Sequence, residues 1–234
     1  MSDSRRKGIM HFHSRASFDC LSSPLDILRF AQRHGLDFLI VTDHETIDGA
    51  IRLRELAHHR GLDLEIPLAA EYYTNYGDVI AAFIADEIHT RDFDQLIAEV
   101  GRQGGITLLP HPCRGHTNID YVAAHVDLIE IYNSRQSVVD DRRSEELAKK
   151  YAKPVFYGSD AHLVADLASA IVTLDKKYDL KTDLLNNIIT AETCQKTARL
   201  HVRFSQLVGA FRTGQLTQLF MRKLLRMIGR NYKS

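Results

Sequence analysis

Cysteine is scarce in this 234-residue chain: Cys20, Cys113 and Cys194 are far apart and form no Cys-x-x-Cys pair. That excludes a disulfide framework and a thiolate zinc knuckle, and makes a reducing, cytoplasmic setting the expectation. Long apolar runs are missing too. No stretch approaches the roughly 18 residues that span a bilayer, and the N-terminal MSDSRRKG leads into a histidine pair where a secretory signal would have an apolar region. Internal repeats and low-complexity segments are absent. Net charge is zero, with 30 basic and 30 acidic residues, yet the balance is uneven. Nine Lys and Arg fall between Thr193 and Ser234, which hold no Asp or Glu, so residues 1–192 carry every acid beside 21 basic residues. A basic tail follows an acidic body.

The remaining composition, 44% hydrophobic and 26% charged, is that of an ordinary soluble domain. The expected organisation is one domain over residues 1–192 with a helical extension over 193–234. The stretch from Ile9 to His44 sets the pattern. It opens with Met10-His11-Phe12-His13 and closes with the apolar run Phe38 to Thr42 followed by Asp43-His44, with one helix's worth of sequence between. Residues two apart on a strand share a face and lie about 7 Å apart, so His11 and His13 are aimed at one point. Ser23 and Pro24 read as a helix start, and Gly35 as its stop. A second helix is predicted over 47–60 and a third strand over 65–70, delivering Glu71. An extended arm or hairpin follows over 72–85. Further strands over 106–109, 127–132, 154–157 and 171–174 alternate with helices over 93–103 and 142–151.

Strands and helices alternating at this spacing predict a parallel α/β sheet, and six or seven such units favour closure into a TIM-like barrel. Chemistry in such barrels sits at the C-terminal ends of the strands. His11 and His13, Asp43 and His44, Glu71, His111, and Asp160 with His162 all fall at predicted strand ends. One histidine there is unremarkable. Five tips bearing His, Asp or Glu form a constellation.

Imidazole and carboxylate without thiolate suit Zn, Mn or Fe in a hydrolytic site. Three carboxylates, Asp19, Glu71 and Asp160, do not neutralise two or three divalent ions, so the site favours an anionic substrate and acidifies a bound water. That is the logic of phosphoester hydrolysis.

His11-x-His13, Asp19, Thr42-Asp43-His44, Glu71, His111-Pro112 and Gly158-Ser159-Asp160-Ala161-His162 together resemble, in order and spacing, the motifs of the PHP (polymerase and histidinol phosphatase) family. The resemblance spans roughly residues 8 to 175. It implies a distorted seven-stranded (β/α) barrel with a two- or three-metal phosphoesterase site. Carried over motif by motif, His11, His13, Glu71 and Asp160 hold one ion, Glu71 and His111 a second, and Asp19, His44 and His162 a third. One departure is evident. Many relatives supply a further histidine between Glu71 and His111, and the matching arm, residues 76–83, has none; His89, the lone histidine of that interval, reads as a surface residue.

Arg15 and Arg114 stand beside ligands and are candidates to clamp phosphate oxygens; Asn133 and Arg135 follow a strand tip. Asp43 reads as a residue that orients a ligand or caps a loop, while His116, His125, His34, His58, His59 and His201 fit no pattern. In the tail, Leu207, Val208 and Phe211 form one apolar group and Leu216, Leu219, Phe220, Leu224 and Ile228 another at helical spacing. Such a helix meets an anionic membrane surface or a polyanion, or it packs on the barrel or on a second subunit. The expected substrate is a phosphorylated small molecule or an oligonucleotide end. The competing expectation is a non-catalytic, metal-stabilised PHP module that serves as a binding partner.

Overall fold

A computed structural model describes residues 5–186 and 188–216. Its strands are β1 (Arg5–Phe12), β2 (Phe38–Val41), β3 (Ala69–Thr74), β4 (Gly77–Ala82), β5 (Ile106–Leu109), β6 (Leu128–Asn133), β7 (Val155–Ala161), β8 (Val172–Asp175) and β9 (Thr190–Ala191). Its α-helices are α1 (Pro24–His34), α2 (Asp48–His59), α3 (Phe93–Arg102), α4 (Ile119–His125), α5 (Val138–Lys150), α6 (Leu180–Asn186) and α7 (Arg199–Arg212), and a 3-10 helix runs from Val164 to Ser169.

Helix boundaries follow local chemistry. Ser23 caps α1 by accepting from the Asp26 backbone N–H, Pro24 opens its first turn, and Gly35 ends it in the left-handed conformation at φ 59°. Asp92 caps α3 and Ser137 caps α5 in the same way. The second of these places the start of α5 four residues before the expected Arg142.

The sheet is mixed. β5, β6, β7, β1 and β2 pair in parallel, while β3/β4, β4/β5, β1/β8 and β8/β9 are antiparallel. Expectation and structure differ at the seam. A closed seven-stranded barrel was expected; the sheet has nine strands, and β2 meets the chain around β3 only through single bridges at Phe38–Glu65 and His44–Glu71. Pro67 lies between those bridges and has no N–H to donate, so no ladder forms there. Glu71 also moves: it sits inside β3, opposite Ile80 of β4, and not past the end of a strand over 65–70.

Within the curl of the sheet, Met10, Phe38, Ile40, Ile80, Leu108, Leu128 and Phe156 form one buried cluster. Outside it, α1 and α2 cover Ile9, Phe12, Leu39 and Val41, and α3, α4 and α5 cover Tyr72, Val79, Leu109 and Ile129. The short strands β2 and β5 thus bury both faces, and the polar residues Asp43, His44 and His111 follow at their C-terminal ends. Removing one such side chain, as in Phe156→Ala, costs about 3–5 kcal/mol.

In the tail, α7 begins at Arg199, six residues before the expected Ser205. Its small residues make the contact: Ser205 and Gly209 are buried, whereas Leu207 and Phe211, expected as a packing face, are 42% and 72% exposed. The second apolar group beyond Leu216 lies outside the described residues.

Candidate metal centre

The centre begins with an irregularity. β1 shifts register between Met10 and Phe12: against β2 the extra residue is His11, held at φ 52°, and against β7 the extra residue falls in β7, where Ser159 and Asp160 stand opposite His11 alone. A bulge of this kind re-aims a side chain. His13 lies one residue beyond the strand, and the two imidazole centroids are 5.7 Å apart. They converge, although not through the simple alternation that the spacing suggests. His111 and Asp160 also have left-handed backbone, at φ 31° and 45°. Such conformations cost a non-glycine residue free energy and collect where surrounding structure imposes them.

Glu71 is the hub. Its Oε1 lies 3.0 Å from His111 Nε2 and 3.7 Å from His11 Nε2; its Oε2 lies 3.2 Å from His44 Nδ1 and 3.6 Å from His13 Nε2. Asp160 Oδ1 is 3.5 Å from His13 Nε2 and 3.9 Å from His11 Nε2. Asp19 Oδ2 is 2.8 Å from His162 Nε2 and 3.7 Å from His44 Nε2. All eight expected ligands therefore meet. Three subsets bring their ligand atoms within 4.8 Å of one another: His11, His13 and Asp160; His11, Glu71 and His111; His13, His44 and His162.

Whether these residues fit metal ions is tested by their lone pairs. His11 Nε2, His13 Nε2 and Asp19 Oδ1 are buried without a hydrogen-bond partner, an arrangement that is costly unless a cation takes the lone pair. The donor set fits.

Tautomers are arranged to the same end. His11 Nδ1 donates to Glu130 Oε1 at 2.7 Å, and His13 Nδ1 faces Ser17 Oγ at 3.2 Å, leaving both Nε2 atoms for the centre. Burial opposes charging His11, but Glu130, Glu71 and Asp160 outweigh it and hold its pKa well above the ordinary range. A cation at Nε2 takes the place of that proton. Burial, helped by His162 and His44, pushes His13 down to about 3, so its ring is neutral. Burial raises the pKa of a carboxyl, yet the histidines around Glu71, and Arg135, Arg114 and the histidines around Asp160, hold both carboxyls well below the usual range.

Sequence reasoning missed three residues. Glu130 is buried in the apolar strand β6; its Oε2 also accepts from the His111 backbone N–H at 2.5 Å and from Asn133 Nδ2 at 3.0 Å. A lone acid inside Leu-Ile-Glu-Ile was the available signal. Asp78, on the arm that lacks the histidine the resemblance leads one to expect, has its Oδ2 3.8 Å from His111 Nε2. His116 stands beside it, its Nε2 2.9 Å from the Asp78 carbonyl and its ring 5.7 Å from that of His111.

The remaining candidates sort by contact. Asp43 caps the 14–17 loop, accepting from Ser14 N and Oγ at 2.7 Å each and from Ser17 N at 3.2 Å. Arg114 Nη2 lies 3.0 Å, and Arg135 Nη1 3.5 Å, from the Asp160 carboxylate. Arg15 is exposed in a groove with Ser23, Pro24, Arg52 and Leu56, and no hydrogen bond or ion pair joins it to the centre among the described residues. His89 is exposed, as expected.

Residues 140–193, from α5 to just past β9, match the PHP-associated family model. A two-domain protein of Bacteroides vulgatus containing a predicted PHP-like metal-dependent phosphoesterase superposes with a TM-score of 0.66, at 18% identity over 86% of this chain and 69% of that one. This chain shares the fold of that PHP-like protein. The lesion-specific endonuclease PfuEndoQ from Pyrococcus furiosus shares the fold at a TM-score of 0.58, with 12% identity over 79% of this chain and 57% of that one. In sequence, the uncharacterized protein MJ1587 of Methanocaldococcus jannaschii is 25% identical over 169 residues, 64% of this chain and 96% of that protein. No helix among the described residues is long and apolar enough to cross a membrane.

Proposed function

We propose that this PHP-like chain is a metal-dependent phosphoesterase whose centre holds two or three divalent ions, Zn, Mn or Fe. One observation carries the reading: six ligand-bearing segments converge so that the Nε2 atoms of His11 and His13 are buried, unpartnered and facing the Glu71 and Asp160 carboxylates. The ligands divide as the resemblance implies, with Glu71 bridging a site of His11, His13 and Asp160 to one of His111, which Asp78 completes. Asp19, His44 and His162 hold the third. In the same reading, the curled sheet is a distorted barrel with its seam at the β2–β3 bridges.

Bound divalent ions supply Lewis acidity and an acidified water. The chain's own residues do the rest. Arg114 and Arg135, already beside Asp160, bind and orient phosphoryl oxygens and balance charge that develops on them. Glu130 fixes the His11 ring, Ser17 the His13 ring, and Asp43 the loop that carries Ser17 and Asp19. Arg15, exposed and away from the centre, takes no part in this clamp.

The test is hydrolysis of p-nitrophenyl phosphate and of a bis(p-nitrophenyl) ester by metal-loaded protein. Turnover that disappears in Asp160→Ala and His11→Ala but survives in Arg15→Ala is expected. Absence of turnover with Zn, Mn and Fe alike would leave a metal-stabilised binding module as the better account.

A further inference from the structure

Helix α7 presents different chemistry on different faces. Gly209 lies so close to the Phe18–Asp19 loop that a Cβ there would come within 2.9 Å of Asp19 Cβ, and Arg212 Nη1 donates to the Ser17 and Cys20 carbonyls at 3.1 Å each. Arg199, Arg203 and Gln206, spaced three and four apart on another face, line a cavity of about 570 Å³ between α7 and the first turn of α5. Arg135 and Lys196 complete its basic wall. No Asp or Glu lines it.

Part of that charge is already committed. The Lys196 ammonium is paired with the Asp141 carboxylate and donates to the Asn133 carbonyl, while the Arg135 terminal nitrogens reach Asp160, His162 and Ser205. Arg199 and Arg203 are exposed and form no ion pair among the described residues. Two more donors on the same wall, Arg135 Nε and Gln136 Nε2, are buried without a partner. Surplus guanidinium charge and unpartnered buried donors around one concavity are the chemistry of phosphate recognition. The cavity also adjoins the metal centre. Arg135, whose side chain is only 9% exposed, lines the one and stands 3.5 Å from Asp160 in the other.

We propose that this cavity is a second anion subsite, and that the molecule processed at the metal centre carries a second phosphoryl group seated against Arg199 and Arg203. The proposal rests on the phosphoesterase reading for its first phosphoryl group. A monoester engages the centre alone; a doubly phosphorylated molecule reaches past Arg135 and engages both. A contact with a flat anionic membrane fits the observations less well, because these arginines line a concavity and not an outward face.

The experiment measures binding and turnover separately. Metal-loaded protein is titrated calorimetrically with α,ω-alkane bisphosphonates of graded length and with the matching monophosphonates, whose C–P bonds resist hydrolysis. At the length that spans both sites, the bisphosphonate is expected to bind about tenfold or more tightly than its monophosphonate, as expected for one added charge-assisted contact. That advantage should vanish in Arg199→Gln/Arg203→Gln and grow in Gln206→Lys, with unchanged thermal midpoints and unchanged monophosphonate affinity. Equal affinities at every length, or an advantage that survives the double substitution, overturns the proposal. Binding of the tail to anionic vesicles that is lost in the double variant, without any bisphosphonate preference, also overturns it in favour of a membrane contact. Turnover of alkyl phosphate esters is scored apart: if none is hydrolysed while the arginine-dependent preference stands, the phosphoesterase reading fails and the anion subsite holds.

Discussion

Glu130 offers the sharpest test of how the centre is built, because a single atom exchange, Glu130→Gln, alters it without changing its shape. The carboxylate accepts on both oxygens: from His11 Nδ1 on Oε1, and from the His111 backbone N–H and Asn133 Nδ2 on Oε2. An amide has one accepting end. If its oxygen faces His111 and Asn133, its NH2 meets His11 Nδ1, which must then accept, and the proton moves to Nε2, the atom aimed at the metal. If its oxygen faces His11, the NH2 confronts two donors at 2.5 and 3.0 Å. Either way a buried, charge-assisted hydrogen bond is lost, at about 1.5–3 kcal/mol. The change of partner behind a ligating histidine typically costs 10–100-fold in metal affinity, or about 1.4–2.7 kcal/mol, which agrees with that range. Competition against a chelator of known affinity measures the constant, and circular dichroism of both metal-free proteins checks the fold. A folded Glu130→Gln protein that holds metal as tightly as the parent would falsify the assignment of Glu130 as the group that sets the His11 tautomer.

Four further predictions rest on the same geometry. At Gly158, an added Cβ would fall 1.7 Å from Glu130 Oε1, and that carboxylate is tied by three hydrogen bonds, so Gly158→Ala should reproduce the metal-affinity loss of Glu130→Gln; chelator competition checks this, and an unaltered affinity counts against it. Burial lowers the pKa of His44, but Asp19 and Glu71 override it and raise it to about 9 in the metal-free protein, so metal must displace a proton from its ring. Affinity at that site should therefore climb with pH by up to tenfold per unit until about pH 9 and then level off; a flat profile from pH 6.5 to 9 refutes this. In the same metal-free protein, the raised pKa stabilises the fold fully below about pH 6.5, and that contribution is lost as pH rises through about 9, read as a falling thermal midpoint. Burial pushes the Cys20 thiol up to about 12, and it donates to the His13 and His162 carbonyls, whereas Cys113 and Cys194 are exposed. Two thiols should react with a disulfide reagent in the native protein and the third only after unfolding; three fast reactions would show the 14–20 loop open.

Much of this arrangement was legible in the residues because each ligand announces itself against an apolar background: His11 after Gly-Ile-Met, His44 after Ile-Val-Thr-Asp, Asp160 after Val-Phe-Tyr-Gly-Ser. The same contrast located β2, β5 and β6 to within a residue, whereas β7 runs four residues past the expected Tyr157. The β2–β3 seam was not legible, since barrel closure depends on pairing between segments 27 or more residues apart, and the relevant signal, Pro67, acts by a bond that fails to form. Glu130 escaped for a different reason. A single acid in a hydrophobic strand reads as a defect until the His11 ring is placed 2.7 Å from it. Asp78 and His116 escaped because a search for one missing histidine in residues 76–83 does not ask which carboxylate stands there, nor which ring packs against it from the loop after His111.

The histidine pair itself carries the most general point. Alternation along a regular strand placed His11 and His13 on one face, and they do converge, but through a bulge at His11 and the end of the strand at Phe12. Left to strand geometry alone, His11 would not need a φ of 52°, nor His111 and Asp160 values of 31° and 45°. Three of the central ligands thus hold backbone conformations that ordinary residues avoid, each at a cost of about 1–3 kcal/mol. The residues that enforce them are the ones an alternation rule cannot see. Glu130 grips the His11 ring and the His111 amide together, and the side chain of Ser159, next to Asp160, donates to the His11 carbonyl at 3.1 Å. Strain at the ligands and restraint by their neighbours are therefore two sides of one construction, and the ion-binding geometry is set by β6 and β7 as much as by the motifs that carry the ligands.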